Sequence, residues 1–278
     1  MAALGAPNNY VPRRILKKLQ RSRTDSEPYQ DLRNKLQILA VKSRTKPAFL
    51  GFPAGNTGLR QLGALLDLHQ KVTAAPPPHF TKRPDVKDSF LKASMDVLCP
   101  KDPVLWLYSD IGVESLISRC IDGVLNEGYV LGYPRCCVEW HEAMRVPEME
   151  SCFRQIEERI TTDPQMLKSI PGRTEMETYR FILLHWRVPY PDYALETTRQ
   201  YPFAPHWACP SCLSRESNES EKLNNQYNEL ATNFDPKFAQ AIERAASDSL
   251  RAYKESWTEE SKKPNPSMDL LGNPLDTE

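Results

Sequence analysis

The sequence predicts an α+β protein, mainly helical, with a small sheet. Apolar residues recur at helical spacing along much of the chain. The run VLWLYS at 104–109 reads as a buried strand. Two cysteine pairs, Cys136–Cys137 and Cys209-x-x-Cys212, lie in the middle of the chain. Thiols so arranged are metal ligands by type and spacing, so the expected fold has a metal-stapled central region.

Residues 1–27 read as a flexible basic arm (Arg13, Arg14, Lys17, Lys18, Arg21, Arg23), with no acidic residue before Asp25. An N-terminal helical region and proline linker follow over 28–84. Leu32, Leu36 and Leu39 predict a helix within 28–44, and Asn56 or Thr57 can cap a second one running to about Lys71. AGNTG before that helix matches no phosphate-loop pattern and lacks the lysine. APPPHFTKRP at 75–84 is a stiff connection. Residues 85–257 form the expected cysteine-containing core domain. Within it, Val113, Leu116, Ile117, Cys120, Ile121, Val124 and Leu125 line one face of a helix over 113–126. Met149, Cys152, Phe153, Ile156 and Ile160 do so over about 147–161. Cys120 and Cys152 are therefore read as small buried hydrophobes. Two more helices are expected at about 217–231 and 235–256, then a disordered tail over 258–278.

The 278 residues carry 36 basic and 36 acidic side chains, so no global field calls for nucleic acid or a membrane surface. No apolar run approaches the roughly 18 residues of a membrane span. The N-terminus lacks the apolar core of a secretory signal. Seven cysteines in a long chain favour reduced thiols over a disulfide framework, and a cytoplasmic location.

The chemistry concentrates in two stretches. In PFAPHWACPSCL, Cys209 and Cys212 can turn two sulfurs onto one ion, and His206 precedes them at His-x-x-Cys spacing. One such knuckle supplies half of a tetrahedral site. The other half is sought in GYVLGYPRCCVEWHE, where Pro134 suits the first position of a helix and places Cys136 and Cys137 in its first turn. There the exposed amides, the helix dipole and Arg135 are expected to lower thiol pKa values. Adjacent residues on a helix point about 100° apart. Both cysteines therefore reach one ion only at a helix start or a distorted turn. His141, one turn after Cys137, offers an easier set with Cys137, Cys209 and Cys212.

Thiolates, or thiolates with imidazole, suit zinc; four cysteines also suit iron or an iron–sulfur cluster. With an open coordination position the ion can activate a water, and Glu139 can then serve as general base. Tyr133, Trp140, Trp186, Tyr190, Tyr193 and Trp207 can wall a pocket or form the centre's apolar shell.

LGYPRCCVEW followed some seventy residues later by YPFAPHWACPSC resembles a poorly characterised set of bacterial and archaeal proteins. These share a Gly-Tyr-Pro-x-Cys-Cys segment and a later Pro-x-Cys-type segment. The resemblance covers roughly residues 128–215 and implies linked cysteine segments.

The leading functional expectation is a metal-dependent enzyme acting on a small-molecule substrate. The alternative is a non-catalytic, zinc-stapled module binding a protein or, less readily, a nucleic acid through the basic arm. A third reading is a thiol oxidoreductase using the C-x-x-C. Ligand count separates the first two: an open position favours catalysis and a closed set of four favours scaffolding.

Overall fold

A computed structural model describes residues 29–51, 57–79, 103–162 and 192–256, apart from the side chains at 149, 152, 153, 155–162 and 256. The arm, the tail, His185, Trp186, Tyr190 and the apolar stripe expected around Cys152 lie outside the described residues. The described chain is mainly helical with a three-stranded antiparallel sheet, as expected. Among the described residues no helix is long and apolar enough to cross a membrane.

The chain divides into two units. Described residues 29–51, 57–76, 103–138 and 192–251 form the first; 77–79, 139–162 and 252–256 belong to the second. The first unit is built on strands β1 (Ala48–Gly51), β2 (His69–Thr73) and β3 (Val104–Tyr108) in the order β1-β3-β2. Register is fixed by Ala48 facing Tyr108 on one side of β3 and Thr73 facing Val104 on the other. All five residues of β3 are buried because both faces of the sheet are covered. Leu105 and Leu107 enter one core with Leu36, Leu39, Phe49, Tyr227 and Ile242. Val104, Trp106 and Tyr108 enter another with Ile117, Cys120, Val130 and Leu131. An unbroken apolar run, rather than an alternating one, is what two-sided burial requires.

The helices supplying those cores are α1 (Tyr29–Lys42), α2 (Thr57–Leu65), α3 (Val113–Ile121) and the short α4 (Glu127–Val130). They are followed by α5 (Arg135–Thr162), α6 (Asp192–Gln200), the short α7 (Pro210–Leu213), α8 (Glu219–Phe234) and α9 (Pro236–Ser256). Cys120 is fully buried in the α3 core, as a small hydrophobe should be.

Three element boundaries differ from expectation. Helix α2 ends at Leu65 rather than near Lys71, because Asp67 turns left-handed (φ 55°). The Leu68 amide then reaches the Gly63 carbonyl at 3.0 Å, and the Asp67 amide reaches that of Ala64 at 3.1 Å. This closes the helix without a glycine, and β2 follows. Helix α3 stops at Ile121, which leaves Val124 in the turn beyond it, 64% exposed instead of on the apolar stripe. Helix α5 runs straight through Pro147 as one element where a second helix was expected to begin. A proline removes one amide donor and crowds the preceding turn, a local cost of about 3 kcal/mol that flanking turns can absorb.

The approach to the cysteines is set by two glycines. A Cβ on Gly128 would lie 2.8 Å from Val138 Cγ2, so only glycine lets α4 pack against the start of α5. Gly132 has φ +71°, and a Cβ there would meet Pro47 Cδ at 2.9 Å. Gly132→Ala is expected to cost about 1–3 kcal/mol from backbone strain and overlap, read as a lower denaturation midpoint. Beside this turn lies Lys46, only 2% exposed. Its Nζ donates to Gln37 Oε1 at 2.5 Å and sits 5.0 Å from the centroid of the Tyr133 ring.

Candidate metal centre

The first turn of α5 and the knuckle at 209–212 both lie in the first unit, and they meet. The Sγ atoms of Cys136, Cys137, Cys209 and Cys212 all fall within 4.8 Å of one another, a group compatible with metal binding. Cys136 Sγ is 3.6 Å from Cys212 Sγ and 3.9 Å from Cys137 Sγ, and Cys137 Sγ is 3.8 Å from Cys212 Sγ. The described cysteines are all free thiols. Cys137, Cys209 and Cys212 are 1%, 2% and 0% exposed, whereas Cys136 is half-buried.

Each half of the site follows from local backbone rules. The Pro134 carbonyl accepts from the amides of Cys137 (3.0 Å) and Val138 (3.1 Å), so Pro134 caps α5 and the helix begins at Arg135, one residue later than expected. Cys136 and Cys137 are then its second and third residues. At this helix start no preceding turn crowds the side chains, and two neighbouring ones can swing toward one point. In the knuckle, Cys209 is the extended cap of α7 and Pro210 its first residue. The Cys209 carbonyl accepts from the Cys212 and Leu213 amides at 3.0 Å each, folding the second sulfur back beside the first. The Cys209 amide donates to Cys137 Sγ at 3.4 Å, joining the two halves directly.

The proline-rich stretch before the knuckle has little regular structure of its own, so its polar groups are held by side chains. Tyr29 Oη donates to the Pro202 carbonyl at 2.5 Å, and Arg33 Nη2 to that of Ala204 at 2.9 Å. The Phe203 amide donates to Asn224 Oδ1 at 3.0 Å, and the Ala208 amide to Thr197 Oγ1 at 2.8 Å. Tyr201 Oη donates to the Cys212 carbonyl at 2.8 Å. Trp207 packs edge-on against Tyr193, centroids 5.9 Å apart.

Behind the sulfurs lies Ser220, fully buried in the first turn of α8. Its hydroxyl is 3.4 Å from Cys137 Sγ and 2.9 Å from His206 Nε2. The thiols respond unequally. Burial opposes ionisation of Cys212, but donation from the Ser220 hydroxyl and amide and from Ser217 outweighs it, bringing its pKa down to about 7. Burial pushes Cys136 up to about 11, aided by its hydrogen bond with Cys212. Cys137 is raised further, burial exceeding the help of Ser220 and of the Cys209 amide. The expectation that the start of α5 and Arg135 lower the doublet's pKa values is thus overturned by desolvation, and the activated thiol belongs to the knuckle. A cation meeting the site finds one sulfur ready to ionise near neutral pH and displaces protons from the others as it binds.

His206 is not among the four grouped residues. It is buried one layer back, against Ser220 and the Tyr133 ring (centroids 5.4 Å apart). His141 is also outside the group, half-buried with its ring edge-on to Trp140 at 4.7 Å. With Cys136 and Cys137 both at the helix start, a second cysteine stands where the His141 set was geometrically easier. Glu139 is exposed. Ser217 and Ser220 have no distinguishing sequence signal beyond standing at a helix start, where serine is common for reasons unrelated to sulfur. Ser220→Ala is expected to raise the Cys212 pKa and weaken metal retention about 10–100-fold, as removal of a group supporting a ligand does. Competition with a chromogenic chelator measures it.

No protein family, curated protein or solved structure matches the chain.

Proposed function

We propose that the tetrad holds one zinc ion as a closed, non-catalytic staple, and that the protein is a metal-stabilised scaffold for a binding role. The spacing of the sulfurs carries this reading. Sulfurs at tetrahedral positions about 2.3 Å from one zinc ion are about 3.8 Å apart. The distances between Cys136, Cys137 and Cys212 are 3.6, 3.8 and 3.9 Å. In an iron–sulfur cluster the four thiolates are divided among two or four irons, so the set of four spans more than a single shared tetrahedron. Here all four sulfurs lie within 4.8 Å of one another. Among single ions that favour sulfur, zinc outcompetes ferrous iron in intrinsic affinity.

Four thiolates fill a tetrahedral shell, which supports the staple over a metal-dependent enzyme with an open position and Glu139 as base. The oxidoreductase reading is disfavoured by burial: Cys209 and Cys212 are 2% and 0% exposed, leaving a partner thiol no approach to either. Thiolate ligands must stay reduced, so this reading goes with a reducing compartment such as the cytoplasm. A mononuclear iron centre is the second reading, favoured by the amide donated to Cys137 Sγ, a kind of bond that tunes the potential of iron–thiolate sites.

Elemental analysis of anaerobically purified protein tests the proposal. About one zinc per chain is expected, with Cys137→Ser and Cys209→Ser each abolishing retention and Cys120→Ser retaining it. Iron in place of zinc selects the second reading; full metal in both ligand variants refutes the assignment.

A further inference from the structure

The centre has two unlike sides. On the inner side, Cys212 and Cys137 are buried and hydrogen-bonded by Ser220, with Ser217 and the Cys209 amide as further donors. Cys209 Sγ is buried and 3.2 Å from the Ser211 hydroxyl. On the outer side stands Cys136, the one half-buried sulfur of the four, whose hydrogen-bonding neighbours among the described residues are other cysteines. Donor hydrogen bonds spread the charge of a thiolate and blunt its nucleophilicity, while a metal-bound thiolate without them keeps its lone pairs available.

We propose that Cys136 is an oxidation site for small peroxides, and that its oxidation opens the centre by joining Cys136 to Cys212. This rests on the zinc reading above. In the first step the Cys136 thiolate attacks one peroxide oxygen. An S–O bond forms, the O–O bond breaks, and the departing hydroxide takes a proton to become water; sulfur is oxidised by two electrons to a sulfenic acid. In the second step the Cys212 thiolate, 3.6 Å away, attacks that sulfur. An S–S bond forms, the S–O bond breaks, and hydroxide again leaves as water once protonated. One peroxide is thus reduced to two waters while two thiolates become a disulfide, and the ion loses two of its four ligands.

Geometry selects the partner. Cys137 is nearly as close at 3.9 Å, but a disulfide between adjacent residues closes a strained eight-membered ring that the helical peptide of α5 cannot accommodate. The pairing also joins residues 76 positions apart, so oxidation would tie the start of α5 to the knuckle while discarding the ion.

The test uses the intact zinc-loaded chain titrated with hydrogen peroxide. Zinc release is followed with a chromogenic chelator, sulfenic acid with dimedone, and disulfides by peptide mapping without reductant. The expected result is dimedone first on Cys136, then a Cys136–Cys212 cross-link with about one zinc released per disulfide. Dithiothreitol plus zinc should restore the starting state. First labelling at Cys209 or Cys212, an initial Cys209–Cys212 disulfide, or zinc release with the four cysteines unmodified would overturn the proposal. Zinc retained with all four cysteines intact, at peroxide levels that oxidise a free cysteine peptide, overturns it while leaving the staple standing. A preparation lacking zinc before any peroxide is added refutes the staple reading and this inference together.

Discussion

Removing the ion with a strong zinc chelator is expected to cost the first unit much of its stability, lowering its melting temperature by about 10–20 °C or abolishing the transition. The apparent binding free energy of structural zinc at neutral pH is about 10–16 kcal/mol, comparable with the whole stability of an ordinary domain. The tetrad draws together the start of α5 and the knuckle, and Ser220 ties the start of α8 to both. Without a cation those elements meet around four thiols, three of them buried, one of which ionises near neutral pH. Part of the shift is recovered by protonating all four, so a loss of about 5 kcal/mol is a conservative expectation. Thermal melts followed by near-ultraviolet circular dichroism, with and without chelator, measure it; superimposable melts for loaded and stripped protein would contradict the staple.

The second large effect concerns Lys46. Burial, followed by the nearby Arg33 charge, pulls its pKa well below the ordinary lysine value. The unfolded chain, with a lysine pKa of about 10.4, therefore binds a proton that the folded chain resists. The sign follows: the lysine's contribution is intact above the unfolded value and is lost as pH falls toward the folded one, at up to about 1.4 kcal/mol per pH unit. Lys46→Met removes this dependence. Stability measured as a difference between wild type and variant should show wild type losing ground as pH is lowered from about 10, with the variant the more stable at neutral pH by about 1–4 kcal/mol. The difference cancels the buried tyrosines and the raised thiols Cys136 and Cys137, which act in the opposite sense. It also cancels Cys212, whose lowered pKa acts in the same sense as the lysine. Gln37 Oε1 loses its donor in the variant, so Lys46→Met with Gln37→Leu should gain more than Lys46→Met alone. A Lys46→Met chain less stable than wild type at neutral pH, with an unchanged pH profile, would show that the amine stays charged in the fold.

Most helices and the central strand were legible because each rests on local rules. The stripe of α1, the paired helices α8 and α9, and the two-sided burial of β3 all leave a periodicity that short segments carry. The edge strands left none. AFLG is too short to show alternation, and HQKVT continues a leucine-rich stripe that reads as helix until Asp67 turns left-handed. At the centre, the cysteines announced themselves by type and spacing. Choosing among ligands was harder, because it depends on where residues some seventy positions apart come to rest. His206 has the right spacing yet serves a buried serine, and Cys136, awkward on a regular helix, fits because the helix begins beside it. Ser220 and Lys46 were invisible for the same reason. Their importance comes from what covers them, and nothing near them in the chain reports that.

The first unit is assembled from three separated stretches of chain, and this has a consequence during synthesis. The doublet leaves the ribosome well before the knuckle that completes its site, Cys137 and Cys209 being 72 positions apart. At about 5–20 residues per second the interval is roughly 4–15 s, during which β3 can pair with its neighbours but the last two helices of its larger core do not yet exist. Throughout that window the two adjacent thiols lack the knuckle that completes their group, so under the zinc reading metal supply and thiol redox state would matter before the chain has finished being made.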